Sequence, residues 1–278
     1  MNWQTTRFTL ALDRPLVMGI VNVTPDSFSD GGDHADALSA IQHCERLVEE
    51  GADLLDIGGE SSRPGAPTLP VDEEWARIDD VLRAALELGV PVSVDTCKTE
   101  VMRRALDLGV DIVNDVQALQ SPGALELLAS HDRAGVCLMH MRGTPATMQM
   151  LTEYDDVTAE VASFLSKRTA AAEAAGIARD RIALDPGYGF AKQSVHNLEL
   201  LARQRELCTL GRPLLIGWSR KRTLGDITGR GVAERLPASV AAAVMAVERG
   251  AAIVRVHDVA PTVDALKVWA AAREHVRD

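Results

Sequence analysis

The residue types best suited to chemistry fall at the ends of short apolar runs. Asn22, Asp56, Asp95, Asn114 with Asp115, His140, Asp185, and Arg255 with His257 each close or directly follow such a run. Side chains two apart on a strand share a face, so Arg255 and His257 point one way while Val254 and Val256 point the other. By the same rule Asp95 faces with Ser93, and Asp185 with Ala183. A single polar residue at a strand end commonly caps a helix or meets water. Seven strand ends out of eight carrying one implies instead a pocket of both signs at one rim, because buried charge needs a partner or a ligand.

The loops after these runs suggest what enters the pocket. The first, NVTPDSFSDGG (22–32), mixes Pro25, glycines and small hydroxyls, a composition expected of a mobile lid. The second, GGESSRPGA (58–66), places Arg63 among Gly, Ser and Pro, suited to clamping an anion as well as to a plain surface ion pair. The seventh, GWSRKRTLGDITGR (217–230), carries Arg220, Lys221 and Arg222 in succession at what reads as a helix start, where backbone N–H groups favour anions. The chain has only four Trp, two Tyr and four Phe, yet Phe28, Tyr188, Phe190 and Trp218 lie in such loops and are expected to stack on a planar ligand. Asp26, Asp30, Asp56 and Asp95 offer hard oxygens for Mg²⁺, although no spacing among them is a metal signature. Only His140 and His257 of the seven histidines sit at strand ends, so no zinc site is expected.

The elements that must position these residues repeat along the chain. Apolar runs at 16–21, 54–57, 92–94, 112–113, 136–139, 182–184, 214–216 and 253–256 alternate with helical patterns such as 35–50, 72–88, 99–108, 154–175 and 236–249. Eight strands, each followed by a helix, predict an α/β protein of the TIM (β/α)₈ barrel type, whose strand C-termini carry the chemistry. A doubly wound sheet is disfavoured, since no glycine fingerprint follows the first strand. Residues 3–12 alternate loosely and predict a hairpin, within residues 1–14, closing the barrel bottom. With 278 residues and no low-complexity linker, the chain reads as one domain.

Composition narrows the function. The net charge of −11 argues against coating nucleic acid or an anionic membrane. The longest apolar run, 238–247, is about half of a membrane span. The N-terminus lacks a signal core, and Cys44, Cys97, Cys137 and Cys208 form no CxxC pair, so reduced thiols in the cytoplasm are expected.

Read together, MGIVNVTPDSFSDGG (from Met18), GADLLDIGGESSRPGA (from Gly51), VSVDTCKTEV (from Val92), IVNDV (from Ile112), LMHMRGTPATMQ (from Leu138), DPGYGF (from Asp185), IGWSRK (from Ile216) and RVHDV (from Arg255) resemble dihydropteroate synthase. The resemblance implies a cytoplasmic homodimer of folate synthesis. It would join 6-hydroxymethyl-7,8-dihydropterin pyrophosphate to p-aminobenzoate with Mg²⁺. It assigns the pterin to Asp95, Asn114, Asp185, Phe190, Gly217, Lys221 and Arg255. Phe28, Ser62, Pro64, Lys221 and Arg222 go to p-aminobenzoate, and Asn22, Arg63, Arg255 and His257 to pyrophosphate, with Asn22 on the metal. Catalysis would rest on Asn22, Arg63, Asp95, Lys221, Arg255 and His257, with Asp30 pairing with Arg63 to hold the lid. An aniline nitrogen is unprotonated at neutral pH, which agrees with the absence of a nucleophile–base dyad.

Three positions depart from the family pattern: Arg222 stands where Ser is common, Ser62 where Thr is, and Ala191 where Gly is. Ala191 matters only if its backbone needs a positive φ. A methyltetrahydrofolate:corrinoid methyltransferase barrel would share the pterin readers but has no use for SSRPGA or the SRK cations. A catalytically silent pterin-binding paralogue is the other alternative. The apolar stretches 240–247 and 263–269 are compatible with a dimer face.

Overall fold

Alternation along the strands decides the architecture. The computed structural model describes residues 1–24, 33–61, 65–66 and 68–275. The chain opens with a short antiparallel hairpin of β1 (Asn2–Gln4) and β2 (Thr9–Ala11), in which Trp3 faces Leu10. Eight parallel strands follow: β3 (Leu16–Asn22), β4 (Leu54–Gly58), β5 (Val92–Asp95), β6 (Ile112–Asp115), β7 (Gly135–Met139), β8 (Ile182–Asp185), β9 (Leu215–Ile216) and β10 (Ile253–Val256). They pair in the order β8-β7-β6-β5-β4-β3-β10-β9, and a bridge between Leu184 and Leu214 joins β8 to β9 and closes the ring. This is the expected TIM barrel.

Outward-facing strand residues such as Val17, Val21, Leu55, Ile57, Val94, Val113, Val136, Leu138, Leu184 and Val254 join the core shared with the helices. Inward-facing Leu16, Met18, Leu54, Ile112, Cys137, Ala183, Leu215 and Ile253 form a separate apolar cluster at the N-terminal end, plugged by Trp3. The hairpin therefore closes the barrel bottom: Trp3 is wholly buried, and its indole N–H donates to the Arg181 carbonyl at 2.9 Å. One step of two residues up the same strands leads from Leu54 to Asp56, Ile112 to Asn114, Ala183 to Asp185 and Ile253 to Arg255. The polar pocket is the next interior layer of the barrel.

The helices are α1 (Asp33–Glu49), α2 (Val71–Leu86), α3 (Thr99–Leu108), α4 (Ala124–Ser130), α5 (Val157–Ala174), α6 (Ser194–Ala202), α7 (Arg222–Thr228), α8 (Leu236–Glu248) and α9 (Val259–Arg273). The strongly periodic helices occur within a few residues of expectation. The stretch expected from Tyr154 begins only at Val157, because the Asp156 carboxylate accepts the Ala159 N–H at 2.9 Å and caps α5 there. Helices α4 and α6 are too short for periodicity to announce them. No described helix is long and apolar enough to cross a membrane.

Candidate active site

The C-terminal ends of β5, β6, β8, β9 and β10 converge on one cavity. Asp95, Asn114, Asp185, Gly217, Lys221, Arg255 and His257 all line it, with Phe190 on its wall. Each arrives by strand parity or on the first residues of the following loop. Gly217 leaves the lining open: a Cβ there would meet nothing nearer than the Arg255 Cβ at 4.0 Å.

Arg255 organises the acidic side. Its Nε donates to Asp56 Oδ2 at 2.5 Å and its Nη2 to Asp95 Oδ2 at 2.8 Å, and Asn114 Nδ2 donates to the same Asp56 oxygen at 3.0 Å. Asp56 is wholly buried, and its Oδ1 has no hydrogen-bond partner among the described residues. Burial opposes the Arg255 charge, yet the flanking carboxylates outweigh it and hold its pKa above the ordinary guanidinium value. Burial raises the Asp95 pKa, with Arg255 opposing and Asp56 adding to the rise. Burial likewise raises the Asp185 pKa, opposed by the Gly187 N–H that donates to its Oδ1 at 2.7 Å and by Lys221, Arg255 and Lys192. The Lys221 ammonium lies 4.1 Å from the Phe190 ring centroid, and burial pushes its pKa down to about 8 against the pull of Asp185. Opposite it, His257 Nδ1 lies 2.9 Å from Ser219 Oγ, which also accepts the His257 backbone N–H at 3.2 Å.

Several expectations need correction. Tyr188 and Trp218 are not loop rings waiting for a ligand: both are buried and belong to the core, stacked on each other at 4.6 Å between centroids, although Tyr188 reaches the cavity lining. Packing two large rings on each other within the core takes the apolar area of both out of water. The run of three cations splits. Lys221 enters the cavity, Arg220 turns out to pair with Asp258 at 2.7 Å, and Arg222 begins α7 with its side chain 88% exposed. Consecutive residues at a strand–helix junction cannot share a face. Asp56 is the buried partner of Arg255 and Asn114.

Two further strand-end residues lie outside the cavity lining. Asp115 accepts the Gln117 and Leu119 N–H groups and shapes its own turn, and the His140 ring takes the ammonium of Lys192. Asn22 ends β3 beside Gly58, half-buried on the same rim but not in the cavity lining. Asp26, Phe28, Asp30, Ser62, Arg63 and Pro64 lie outside the described residues. Ala191 does adopt a positive φ, 49°, the condition under which its departure from Gly matters.

Sequence reasoning did not pick out Lys192 or Lys98. The Lys98 ammonium bridges Glu60 and Glu74 at the base of the second loop, and Glu60 also accepts the Leu69 N–H at 2.7 Å. A lone Lys within the turn GYGFAKQS was the available signal for Lys192, and a charged residue inside LLDIG was the signal for the burial of Asp56.

Comparison with known proteins agrees with this geometry. Residues 18–257 match the family described as pterin binding enzyme. The dihydropteroate synthase of Neisseria meningitidis serogroup B is 55% identical over 275 residues, covering 97% of this chain and 96% of that one. A Xanthomonas albilineans dihydropteroate synthase solved with 4-aminobenzoic acid superposes with a TM-score of 0.91 at 53% identity, covering 97% and 96% of the two chains. The same organism's enzyme in complex with 7,8-dihydropteroate gives 0.88 at 51% identity, with 97% of each chain covered. A barrel with acids, amide and lysine converging at its C-terminal mouth, matched by sequence and by structure over nearly its whole length, belongs to the pterin binding enzymes and, among them, to the dihydropteroate synthase family.

Proposed function

We propose that the cavity at the strand C-termini is the pterin pocket and that the surrounding rim performs the family's condensation. In that reaction 6-hydroxymethyl-7,8-dihydropterin pyrophosphate and p-aminobenzoate give 7,8-dihydropteroate and pyrophosphate, the activity of the family to which the chain belongs. The observation that carries the residue assignment is the convergence of Asp95, Asn114, Asp185 and Lys221 on one cavity left open by Gly217. A pterin presents an amine and ring N–H beside a carbonyl. Asp185 accepts the paired protons, Asn114 and Asp95 take the remaining edge, and Lys221 serves the carbonyl side. Phe190 and the Arg255 guanidinium cover the ring faces.

The C–O bond from the pterin methylene to pyrophosphate breaks as the aniline nitrogen forms the new C–N bond and then releases its proton. An electron-rich dihydropterin delocalises the cation that develops at the methylene, so the protein's main contribution is to neutralise the departing pyrophosphate. Arg255 keeps its Nη1 outside the Asp56 and Asp95 pairs, and with His257, Asn22 and Arg63 it serves that anion. Described residues hold no cluster of three His, Cys, Asp or Glu able to bind a metal. That donor set suits Mg²⁺ carried in largely by pyrophosphate and water, with the Asn22 amide oxygen as the chain's own ligand. The ion would supply charge neutralisation on the leaving group.

Phe28, Ser62 and Pro64 are assigned to the aminobenzoate, with Asp30 bracing Arg63, and Arg222 at the outer lip to its carboxylate. Arg222→Ser is expected to raise the KM for p-aminobenzoate; an unchanged or lower KM removes that role. A homodimer is supported by exposed Met245 on α8 and Val268 on α9, a cytoplasmic setting by the unpaired thiols, and a single pterin-binding domain by the family match across residues 18–257.

Purified chain mixed with dihydropterin pyrophosphate, p-aminobenzoate and Mg²⁺ is expected to release pyrophosphate stoichiometrically with dihydropteroate. Pterin binding without release would point instead to a silent paralogue. Binding is ordered, pterin first, so p-aminobenzoate alone is expected to show no tight binding by calorimetry.

A further inference from the structure

Lys192 is buried, 5% exposed, and its ammonium meets a ring nitrogen and two carbonyls rather than a carboxylate among the described residues. Its three ammonium protons have three acceptors: His140 Nδ1 at 2.9 Å, the Gly187 carbonyl at 3.0 Å and the Phe190 carbonyl at 3.1 Å. Those acceptors lie on two elements. His140 directly follows β7, while Gly187 and Phe190 belong to the turn that leaves β8 at Asp185. The same two segments are joined a second time by the His140 backbone N–H, which donates to the Asp185 carbonyl at 2.9 Å.

The turn is strained despite two hydrogen bonds of its own, from the Gly187 N–H to Asp185 Oδ1 at 2.7 Å and from the Phe190 N–H to the Gly187 carbonyl at 3.1 Å. Gly187, Gly189 and Ala191 all take positive φ, at 68°, 80° and 49°. Ala191 does so against the Cβ clash that normally excludes it, at a cost of order 1 kcal/mol. A Cβ at Gly187 would stand 2.0 Å from the His140 carbonyl oxygen, so the turn lies directly on that residue. Asn197 on α6 adds a support from outside, accepting the Gly189 N–H at 2.9 Å and donating to Thr223 Oγ1 at 3.0 Å. A conformation of this kind persists only when its surroundings over-determine it, and the Lys192 ammonium ties two carbonyls of the turn, Gly187 and Phe190, to His140 beyond the neighbouring strand.

We propose that Lys192 is a positioning residue for pterin recognition: with His140 as its acceptor, it clamps the 185–192 turn so that the Asp185 carboxylate and the Phe190 ring present to the cavity together. The proposal rests on the assignment of the pterin to Asp185 made above. Burial pushes the Lys192 pKa down to about 7; of the charged groups around the clamp, Asp185 favours the ammonium, while Lys221 and Arg142 oppose it. Tyr154 and Phe164 pack on the His140 ring. Burial, with Lys192 and Arg142 beside it, holds His140 in its neutral form, which makes Nδ1 available as the acceptor.

Binding of 6-hydroxymethyl-7,8-dihydropterin, read by calorimetry on the full chain, tests this. Lys192→Met, which keeps the stem and removes three donors, is expected to weaken binding about tenfold or more. His140→Leu attacks the clamp from its other end and should match it, while His140→Asn, which restores an acceptor, should return the dissociation constant to within about threefold of the parent. Arg181→Met removes an equally buried cation that donates to the Ala134 and Leu128 carbonyls at the barrel bottom; it serves as the stability control and should leave pterin binding within about twofold. Lys192→Met or His140→Leu lowering Tm as Arg181→Met does, with pterin affinity unchanged, overturns the proposal and leaves a structural role. His140→Leu and His140→Asn weakening binding equally also overturns it. Asp185→Asn separates the two inferences: if it too leaves affinity unchanged, the pterin assignment fails, and if it alone abolishes binding, only the clamp does.

Discussion

The two ends of this barrel bury charge in different ways. At the bottom, Asp111 is wholly buried yet saturated: it accepts the Val92 and Arg7 backbone N–H groups, each at 2.9 Å, and the Arg7 guanidinium at 2.7 Å. Arg181 nearby spends its donors on two carbonyls. At the top, Asp56 keeps an oxygen without a partner among the described residues, and Asp95, Asp185 and Lys221 surround open space. Charge that is fully partnered ties strands together, and charge left facing a cavity is held for something that arrives. The distinction lies in the count of partners, since each end holds a wholly buried aspartate, Asp111 at the bottom and Asp56 at the top.

Matched substitutions of the two arginines test that contrast most severely. Arg255→Met strands Asp56 and Asp95 together in the interior. It is expected to cost about 3–5 kcal/mol of stability by denaturant titration, and pyrophosphate release should fall about a thousandfold or more. Arg7→Met leaves Asp111 its backbone donors and is one-third exposed; about 1–2 kcal/mol should be lost, with kcat/KM unchanged. Equal activity losses from the two variants would erase the distinction.

The next effect is in affinity. Asp185→Asn replaces a carboxylate that accepts two protons with an amide that accepts at one atom only, and pterin binding should weaken about 10²–10³-fold by calorimetry. Asp111→Asn at the other end should lower Tm while leaving pterin affinity where it was.

A pH dependence should belong to the upper end alone. The Lys221 pKa is lowered to about 8, so its charge is present below that pH and is lost as pH rises through it. The Asp185 pKa is raised, so its carboxylate is neutralised on acidification at a higher pH than an exposed Asp. Pterin affinity should therefore fall on both sides of neutrality, and Lys221→Arg should remove the Lys221 share of the alkaline limb, since guanidinium does not titrate there. The share of Lys192, whose pKa burial pushes down to about 7, should remain. A flat profile for the parent chain would contradict the charge assignments.

The smallest effect is one of strain. Ala191→Gly relieves a Cβ held at φ 49° and should stabilise the chain by about 1 kcal/mol, read as a modest rise in Tm.

Much of the barrel was legible because strand parity is local. Asp56, Asp95, Asn114, Asp185 and Arg255 each sit one step of two residues beyond an inward-facing neighbour, and that relation can be read without knowing the fold. The Trp3 hairpin was likewise visible as an alternating stretch. What escaped was contact between distant segments. Tyr188 and Trp218 look like loop aromatics until the fold stacks them. Arg220 and Lys221 are neighbours in the chain, yet one meets Asp258 and the other Phe190. Lys192 looks like any loop lysine until β7 brings His140 beneath it.

From the order of residues alone came the number of strands, the face each polar side chain takes and the rim they share, since backbone geometry imposes these within a few residues. Only the closed ring decided which oppositely charged groups meet, because Arg255 finds Asp56 across 199 positions of chain and nothing local encodes that distance. The partner left to each buried charge separates a binding site from a structural tie, and that is a property of three-dimensional packing.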